Sequence, residues 1–402
     1  MNIMKKLYCR TYQLGFRAAM PFLPYRKPGF LHEVTKIADV LKEKRLNHPM
    51  LVTDRGVVRA GLTDSLIQAL EKSGLACTVF DETVPNPTSD VVMAGVERFR
   101  AEWCDALIGF GGGSSIDTAK AIGACVAKPK KTLKQLTGNL RVHGKLPLLF
   151  AVPTTAGTGS EATLAAVITD SRTRHKQAMN DFSLLPKYAV LDPKLTVSLP
   201  PHLTATTGVD AMTHAIEAYI GRSTTKETRS EALQAVKLIF ENVERAYRNG
   251  SDLDARANML QAVYLAGDAF TKSYVGYVHA VAHSLGGAYD IPHGLANAVL
   301  LPIVLEEYGA CVWKKLHQIA DYAGISAPSD SDEAAAGALI AAIRRLNRAM
   351  NIPEKLSGIR EADIPKLARN ADKEGNPLYP VPVLWDEKKL ESIYRLAMKE
   401  EA

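Results

Sequence analysis

Ala106-Leu-Ile-Gly-Phe110 runs directly into Gly111-Gly112-Gly113-Ser114, after which Ser115 opens a helix that begins Ile116-Asp117-Thr118-Ala119-Lys120. A short apolar strand, a glycine turn and a helix form the unit from which nucleotide-binding α/β sheets are built. The turn lets a ligand approach the backbone closely and aims free N–H groups and the positive helix end at an anion. The spacing departs from G-x-G-x-x-G because Ser114 falls where that pattern continues, and no G-K-[ST] follows to make a Walker loop. Outward from this turn, residues 50–53, 76–80, 148–152 and 188–191 read as further strands. Residues 62–73, 90–103 and 116–126 read as helices between strands. Such alternation predicts a parallel sheet covered on both faces.

A glycine turn alone serves structure as often as it serves a ligand, but two neighbouring loops favour a nucleotide. Asp54 follows the strand Met50-Leu-Val-Thr53 and can accept hydrogen bonds from a ribose while repelling a 2′-phosphate. An N-cap or turn role is the plain alternative for it. Pro153-Thr154-Thr155-Ala156-Gly157-Thr158-Gly159-Ser160-Glu161 follows another strand and offers hydroxyls and amides. Three polar loops at strand carboxyl ends form the crevice where open α/β sheets bind ligands.

Past Ser198-Leu199-Pro200-Pro201 the texture changes to long helical patterns over 205–219, 225–249, 253–270, 276–286, 334–350 and 387–399. The expected organisation is a basic N-terminal extension (1–27), an α/β domain (28–200) and an all-helical domain (201–402). The chain has 402 residues, 47% hydrophobic and 23% charged, a globular composition. No uninterrupted apolar run reaches the roughly 20 residues that span a bilayer, so no membrane partner is expected. Lys+Arg total 49 against 43 Asp+Glu. Lys5, Lys6, Arg10, Arg17, Arg26 and Lys27 all precede the first acid, Glu33, which leaves the rest of the chain balanced. A neutral body argues against nucleic acid. Arg10 and Arg17 interrupt the apolar run that a secretory signal needs. An organelle-targeting segment shares the Arg-rich, acid-poor composition, but a local extension that packs or frays is the plainer reading. Cys9, Cys77, Cys104, Cys125 and Cys311 form no C-x-x-C pair, which suits a reducing, cytoplasmic compartment.

The helical half concentrates imidazoles: of ten histidines, four lie between His214 and His293. Asp210 and His214 are one helical turn apart, as are His279 and His283, among small apolar residues. His293 sits in Pro292-His293-Gly294, read as a loop. One carboxylate with imidazoles suits Fe2+ or Zn2+ rather than Ca2+, and the absence of H-E-x-x-H disfavours a zincin protease. Five groups compete for about four places, and spacing does not say which histidine is left over.

Four motifs in order complete the picture: G-G-G-S-x-x-D-T-A-K at 111–120, P-T-T-A-G-T-G-S-E at 153–161, G-V-D-A-M-T-H-A-I-E at 208–217, and H-A-V-A-H-S-L-G-G with P-H-G over 279–294. Together they resemble the iron-containing (group III) alcohol dehydrogenase family, over the span from about Pro28 to the end. The resemblance implies a Rossmann-like α/β domain followed by an all-α domain, the dehydroquinate synthase-like architecture, with the active cleft between them. It implies Asp210, His214, His279 and His293 as metal ligands, with His283 the catalytic imidazole that handles protons. Cofactor contacts carried over are Asp54, Gly112, Gly113, Ser114, Asp117, Thr154, Thr155, Thr158, Thr163 and Lys176, with Asn86 on a loop near the nicotinamide. The implied activity is hydride transfer between a small alcohol or aldehyde on the metal and NAD. Fe2+ is the expected ion with Zn2+ the alternative, NADP is the alternative cofactor, and a homodimer is compatible with this reading. Rival activities are a hydroxyacid-oxoacid transhydrogenase and a dehydroquinate synthase-like lyase; a non-catalytic nucleotide- or metal-binding regulator is the rival of another class. Three departures stand out: the stretch before Pro28, the segment Thr271-Lys-Ser-Tyr-Val-Gly-Tyr277, and Leu378 where relatives commonly carry Arg.

Overall fold

The computed structural model describes residues 1–172 and 176–399, and the chain forms two compact units: Pro24–Leu199, and Met1–Leu23 together with Pro200 onward. Helix α1 (Ile3–Ala19), within the sequence-predicted extension, therefore belongs to the helical unit. Its N-cap Asn2 accepts from Lys5 N, a regular helix start.

Among the described residues the α/β unit has nine strands: β1 (Gly29–Leu31), β2 (Pro49–Val52), β3 (Thr78–Phe80), β4 (Ala106–Gly111), β5 (Gly138–Asn139), β6 (Leu148–Pro153), β7 (Ala165–Thr169), β8 (Lys176–Asn180) and β9 (Tyr188–Val190). Six of them form an all-parallel sheet in the order β1-β9-β6-β4-β2-β3. Every residue of β2 and β4 is buried, as a sheet covered on both faces requires. The helices are α2 (Lys36–Glu43), α3 (Arg55–Arg59), α4 (Asp64–Lys72), α5 (Ser89–Ala101), α6 (Gly113–Ala127) and α7 (Leu133–Leu136). Apolar clusters fill both faces, one around Val96, Leu107 and Ile122, the other around Leu41, Leu66 and Phe150.

From β2 the chain passes to β3 on one side, then returns to β4 on the other and continues through β6 to β9. The order of chain travel reverses between β2 and β4, the topological switch point where such sheets bind ligands. A second sheet, β5-β8-β7, with β7 and β8 antiparallel, was not visible in the sequence. Its strands are short, and β8 (Lys-Gln-Ala-Met-Asn) has no apolar alternation to mark it.

The second unit is all-helical after Pro200: α8 (Pro201–Ile220), α9 (Lys226–Arg248), α10 (Leu253–Ser273), α11 (Tyr277–Tyr289), α12 (His293–Tyr308), α13 (Trp313–Tyr322), α14 (Asp332–Ala349), α15 (Ile364–Gly375) and α16 (Glu387–Ala397). Helices α8, α9 and α10 pack on one another, and α12 packs on α8, α11, α14 and α16. The stretch His293–Cys311 has mean hydropathy 1.2 and is long enough to cross a bilayer, but 61% of it is buried. It reads as a core helix. His293 is not in a loop, as its Pro-His-Gly context suggested, but is the first residue of α12. Pro292 precedes it with φ −55°, already a helix-compatible angle, and proline is well suited to a helix start.

Candidate metal centre and nucleotide turn

Helix α8 carries Asp210 and His214 one turn apart, and both are buried. His279 comes from α11 and His293 from α12. One ligand atom from each of these four side chains lies within 4.8 Å of all the others. His279 Nε2 is 3.9 Å and His293 Nε2 3.5 Å from Asp210 Oδ1. The His214 and His279 rings stack at 4.4 Å, and Phe270 stacks on His214 at 4.2 Å. His283 stands outside the four: its ring lies 5.0 Å from His293 and 5.9 Å from His279, and its side chain is 41% exposed.

The surroundings orient these groups. Glu217, a further turn along α8 from His214, is buried and accepts from His279 Nδ1 at 2.6 Å and from Gly276 N and Val278 N at 2.8 Å each. A carboxylate on one ring nitrogen fixes which way the other faces. Here the other, His279 Nε2, is buried without a hydrogen-bond partner. A buried imidazole nitrogen normally finds a partner, and a cation beside Asp210 fits that unmet lone pair. Asn297 Nδ2 donates to Asp210 Oδ1 at 2.6 Å and lies 3.1 Å from His293 Nε2. A Cβ on Gly276 would come within 2.6 Å of Glu217 Oε1, so only glycine allows this approach.

Burial, reinforced by the neighbouring imidazoles, pushes His279 well below the ordinary histidine range, leaving a neutral ligand-competent ring. Burial raises Asp210 against the opposing influence of His214 and Asn297, and raises Glu217 to about 7 despite its hydrogen bonds. Such carboxyls in a dry site favour a compensating positive charge. Glu374 behaves oppositely: burial would raise it, but the His283 charge and hydrogen bonds from His283 and Tyr379 hold it below the usual range.

In the α/β unit, Gly111 ends β4 with φ 143°, Gly112 caps α6 and Gly113 opens it. A Cβ on Gly113 would lie 2.9 Å from the Thr158 side chain, and Thr154 N donates to Gly111 O at 3.0 Å. Asp54 caps α3 through Oδ1, accepting from Gly56 N at 2.8 Å and Val57 N at 3.0 Å. Its other oxygen would lie 3.6 Å from a Cβ at Gly111, so capping and facing the turn coexist. Asp54, Gly112, Thr154, Thr155 and Thr158 thus sit on loops at neighbouring strand ends, and Gly113 and Ser114 form the first turn of α6 beside them.

Asp117 and Thr163 are placed differently, as internal supports. Asp117 accepts from Ser160 Oγ at 2.6 Å and from Val167 N at 3.0 Å. Buried Lys120 donates to the carbonyls of Ser160 (2.7 Å), Thr163 (2.8 Å) and Ala165 (2.8 Å), with Thr163 Oγ1 at 3.1 Å. Burial lowers this amine to about 8 against the pull of Asp117 and Glu161. Asn86 is exposed between β3 and α5 with φ 54°, and Lys176 opens β8 opposite Thr169. The roles of Lys120, Glu217, Asn297 and Glu374 emerge only from the fold. Glu217 alone carried a usable sign, lying seven residues after Asp210 on one helix face.

An iron-containing alcohol dehydrogenase family profile matches residues 30–193, and the C-terminal profile of the same family matches 204–398. The chain belongs to the iron-containing alcohol dehydrogenase family. It is 41% identical over 352 residues to the 1,3-propanediol dehydrogenase of Citrobacter freundii, covering 87% of this chain and 90% of that one. The crystal structure of a 1,3-propanediol oxidoreductase superposes with TM-score 0.89 at 38% identity, covering 93% of this chain and 99% of that one. A sulfoacetaldehyde reductase from Bifidobacterium kashiwanohense, solved with NAD+, superposes with TM-score 0.83 at 28% identity, covering 94% and 99%. As a member of this family the chain is an oxidoreductase acting on CH–OH groups, a nicotinamide-linked dehydrogenase of alcohols or reductase of aldehydes.

Proposed function

We propose that Asp210, His214, His279 and His293 hold one divalent cation, Fe2+ in the native enzyme with Zn2+ able to substitute, and that the enzyme interconverts a small primary alcohol or diol and its aldehyde with NAD. The observation that carries this is the buried, unpartnered Nε2 of His279, held toward Asp210 by Glu217. A divalent ion in such a site supplies Lewis acidity, lowering the pKa of an alcohol hydroxyl and polarising a carbonyl in the reverse direction. The nicotinamide carries the hydride.

The chain's own residues do the rest. Glu217 and Asn297 orient the donors so that little rearrangement accompanies ligation. Phe270 and the His214 ring wall one side with apolar surface. His283, partly exposed and hydrogen-bonded through Nδ1 to Glu374 at 2.5 Å, is suited to pass a proton between substrate and water. The glycine turn before α6 and the Thr154-Thr155 loop would take the diphosphate, with Asp54 on the ribose favouring NAD over NADP. Asn86 and Lys176 would add contacts from their own loops, while Asp117 and Thr163 act by fixing the loop.

The lyase reading needs cations converging on a substrate phosphate. Lys272, the basic group that the sequence placed near the histidines, is paired with Asp268 at 2.9 Å and Glu227 at 3.6 Å. Neutral small substrates such as those named for the propanediol relatives are favoured instead. Metal analysis of protein purified without oxygen, followed by a panel of alcohols, diols and aldehydes monitored by NADH and NADPH absorbance, tests the proposal. About one ion per chain and NADH-linked turnover are expected. A metal-free yet active enzyme, or one turning over without net NAD change, would contradict it.

A further inference from the structure

Helix α1 lies in the segment that the sequence left without a function. It leaves Ile3, Met4, Leu7 and Leu14 exposed and buries chiefly Cys9 and Gln13. A helix that merely covered apolar surface would turn its apolar residues inward. This one turns inward a polar pair whose targets are the backbone carbonyls of a single loop. Gln13 Nε2 donates to Tyr379 O at 2.7 Å and to Pro377 O at 3.2 Å, while its Oε1 accepts from Arg10 Nη1 at 2.7 Å. Arg10 also donates to Val381 O at 2.8 Å and Pro382 O at 3.0 Å. A buried amide such as Gln13, and a half-buried guanidinium such as Arg10, are costly unless matched. Both are matched here by residues 377–382.

That loop leads to the metal centre. Tyr379 OH donates to Glu374 Oε1 at 2.6 Å, the same oxygen that accepts from His283 Nδ1. A second string starts at Lys5, whose Nζ lies 2.5 Å from Asp372 Oδ2. Asp372 Oδ1 accepts from Asn376 Nδ2 at 2.9 Å, and Asn376 Oδ1 accepts from Tyr277 OH at 2.9 Å. Tyr277 opens α11 two residues before His279. The Phe16 ring meets Tyr274 edge-on at 4.9 Å, and Tyr274 in turn lies 6.4 Å from Tyr379.

We propose that α1 is a positioning element of the active site: through Gln13 and Arg10 it holds the 377–382 loop so that Tyr379 and Glu374 keep the His283 ring beside the metal ligands. The inference rests on the reading of that cluster as the catalytic metal centre. Gln13 and Arg10 are positioning residues that act through the loop bearing Tyr379.

The test uses the full chain loaded with metal and compares Gln13→Leu, Arg10→Met, Arg10→Lys, Tyr379→Phe and the double variant Gln13→Leu/Tyr379→Phe, with exposed Lys6→Ala as control. Gln13→Leu should lower kcat by about ten- to a hundredfold, the scale of a small misplacement of a reacting group. Bound metal and KM for NAD should stay unchanged. Arg10→Lys should restore part of what Arg10→Met loses, and Lys6→Ala should behave as the unsubstituted enzyme. The double variant should be no slower than Tyr379→Phe alone, because both lesions lie on one path. Unchanged kcat in Gln13→Leu, or multiplying effects in the double variant, would overturn the inference. So would metal, NAD affinity and thermal midpoint all falling with activity, which would make α1 a stabilising element only. If Gln13→Leu does not fold, Arg10→Met with Tyr379→Phe provides the same cycle. Absence of metal or turnover in the unsubstituted chain would overturn the reading of the site itself and this inference with it.

Discussion

As proposed, the glycine turn and the metal cluster would solve recognition in opposite ways. At the turn, backbone does the work: Gly111 takes a φ of 143°, Gly113 admits Thr158, and α6 presents its N-terminus. At the cluster, side chains from three helices converge, and a buried carboxylate behind them sets the imidazole direction. A backbone site tolerates side-chain change but not a change of chain path. A side-chain site fails when any one orienting group is removed.

Truncation in the helical unit should therefore have the largest consequence. His279→Ala is expected to abolish bound metal and lower turnover by about a thousandfold or more, measured by metal analysis beside kcat. Retention of both would remove His279 from the ligand set. Lys120→Met challenges the other side of the contrast, since it removes a buried cation from the carbonyls of Ser160, Thr163 and Ala165, at the loop proposed to take the nucleotide. A loss of about 3–5 kcal/mol is expected, as for removing one partner of a buried ionic network, together with a raised KM for NAD. Denaturant unfolding with and without NAD measures both. Glu217→Gln should weaken metal affinity by about ten- to a hundredfold while the fold persists, read by competition with a chelator. An unchanged affinity would make Glu217 a packing residue. The smallest effect is expected at Asp54→Ser, which keeps a helix-capping oxygen while removing the charge. It should shift the NAD/NADP preference by about tenfold, read from the ratio of kcat/KM values.

The same contrast explains what could be read from sequence. Strand, glycine turn and helix are local, so β4, α6 and their neighbours emerged from apolar runs and spacing. The candidate ligand set was half legible: i,i+4 spacing paired Asp210 with His214, but leaving out His283 rested on family resemblance, and the four-atom grouping is a property of the fold. Glu217 was visible only as a seventh residue on the same face. Lys120 and Glu374 were not visible at all, because the carbonyls that hold Lys120 and the imidazole of His283 that meets Glu374 lie 40 or more residues away in sequence. The flanking Pro and Gly suggest a loop at His293; the helix starts there because Pro292 needs no N–H and already holds a helical φ. β8, Lys-Gln-Ala-Met-Asn, has no apolar alternation to reveal its pairing with the apolar β7, and in α1 the basic charge is more conspicuous than the helical period.

The most direct test is anomalous diffraction at the iron edge from crystals grown anaerobically. A single peak is predicted within about 2–2.4 Å of a carboxylate oxygen of Asp210 and a ring nitrogen of each of His214, His279 and His293. No peak there, or one bound by His283 in place of a member of that set, would contradict it.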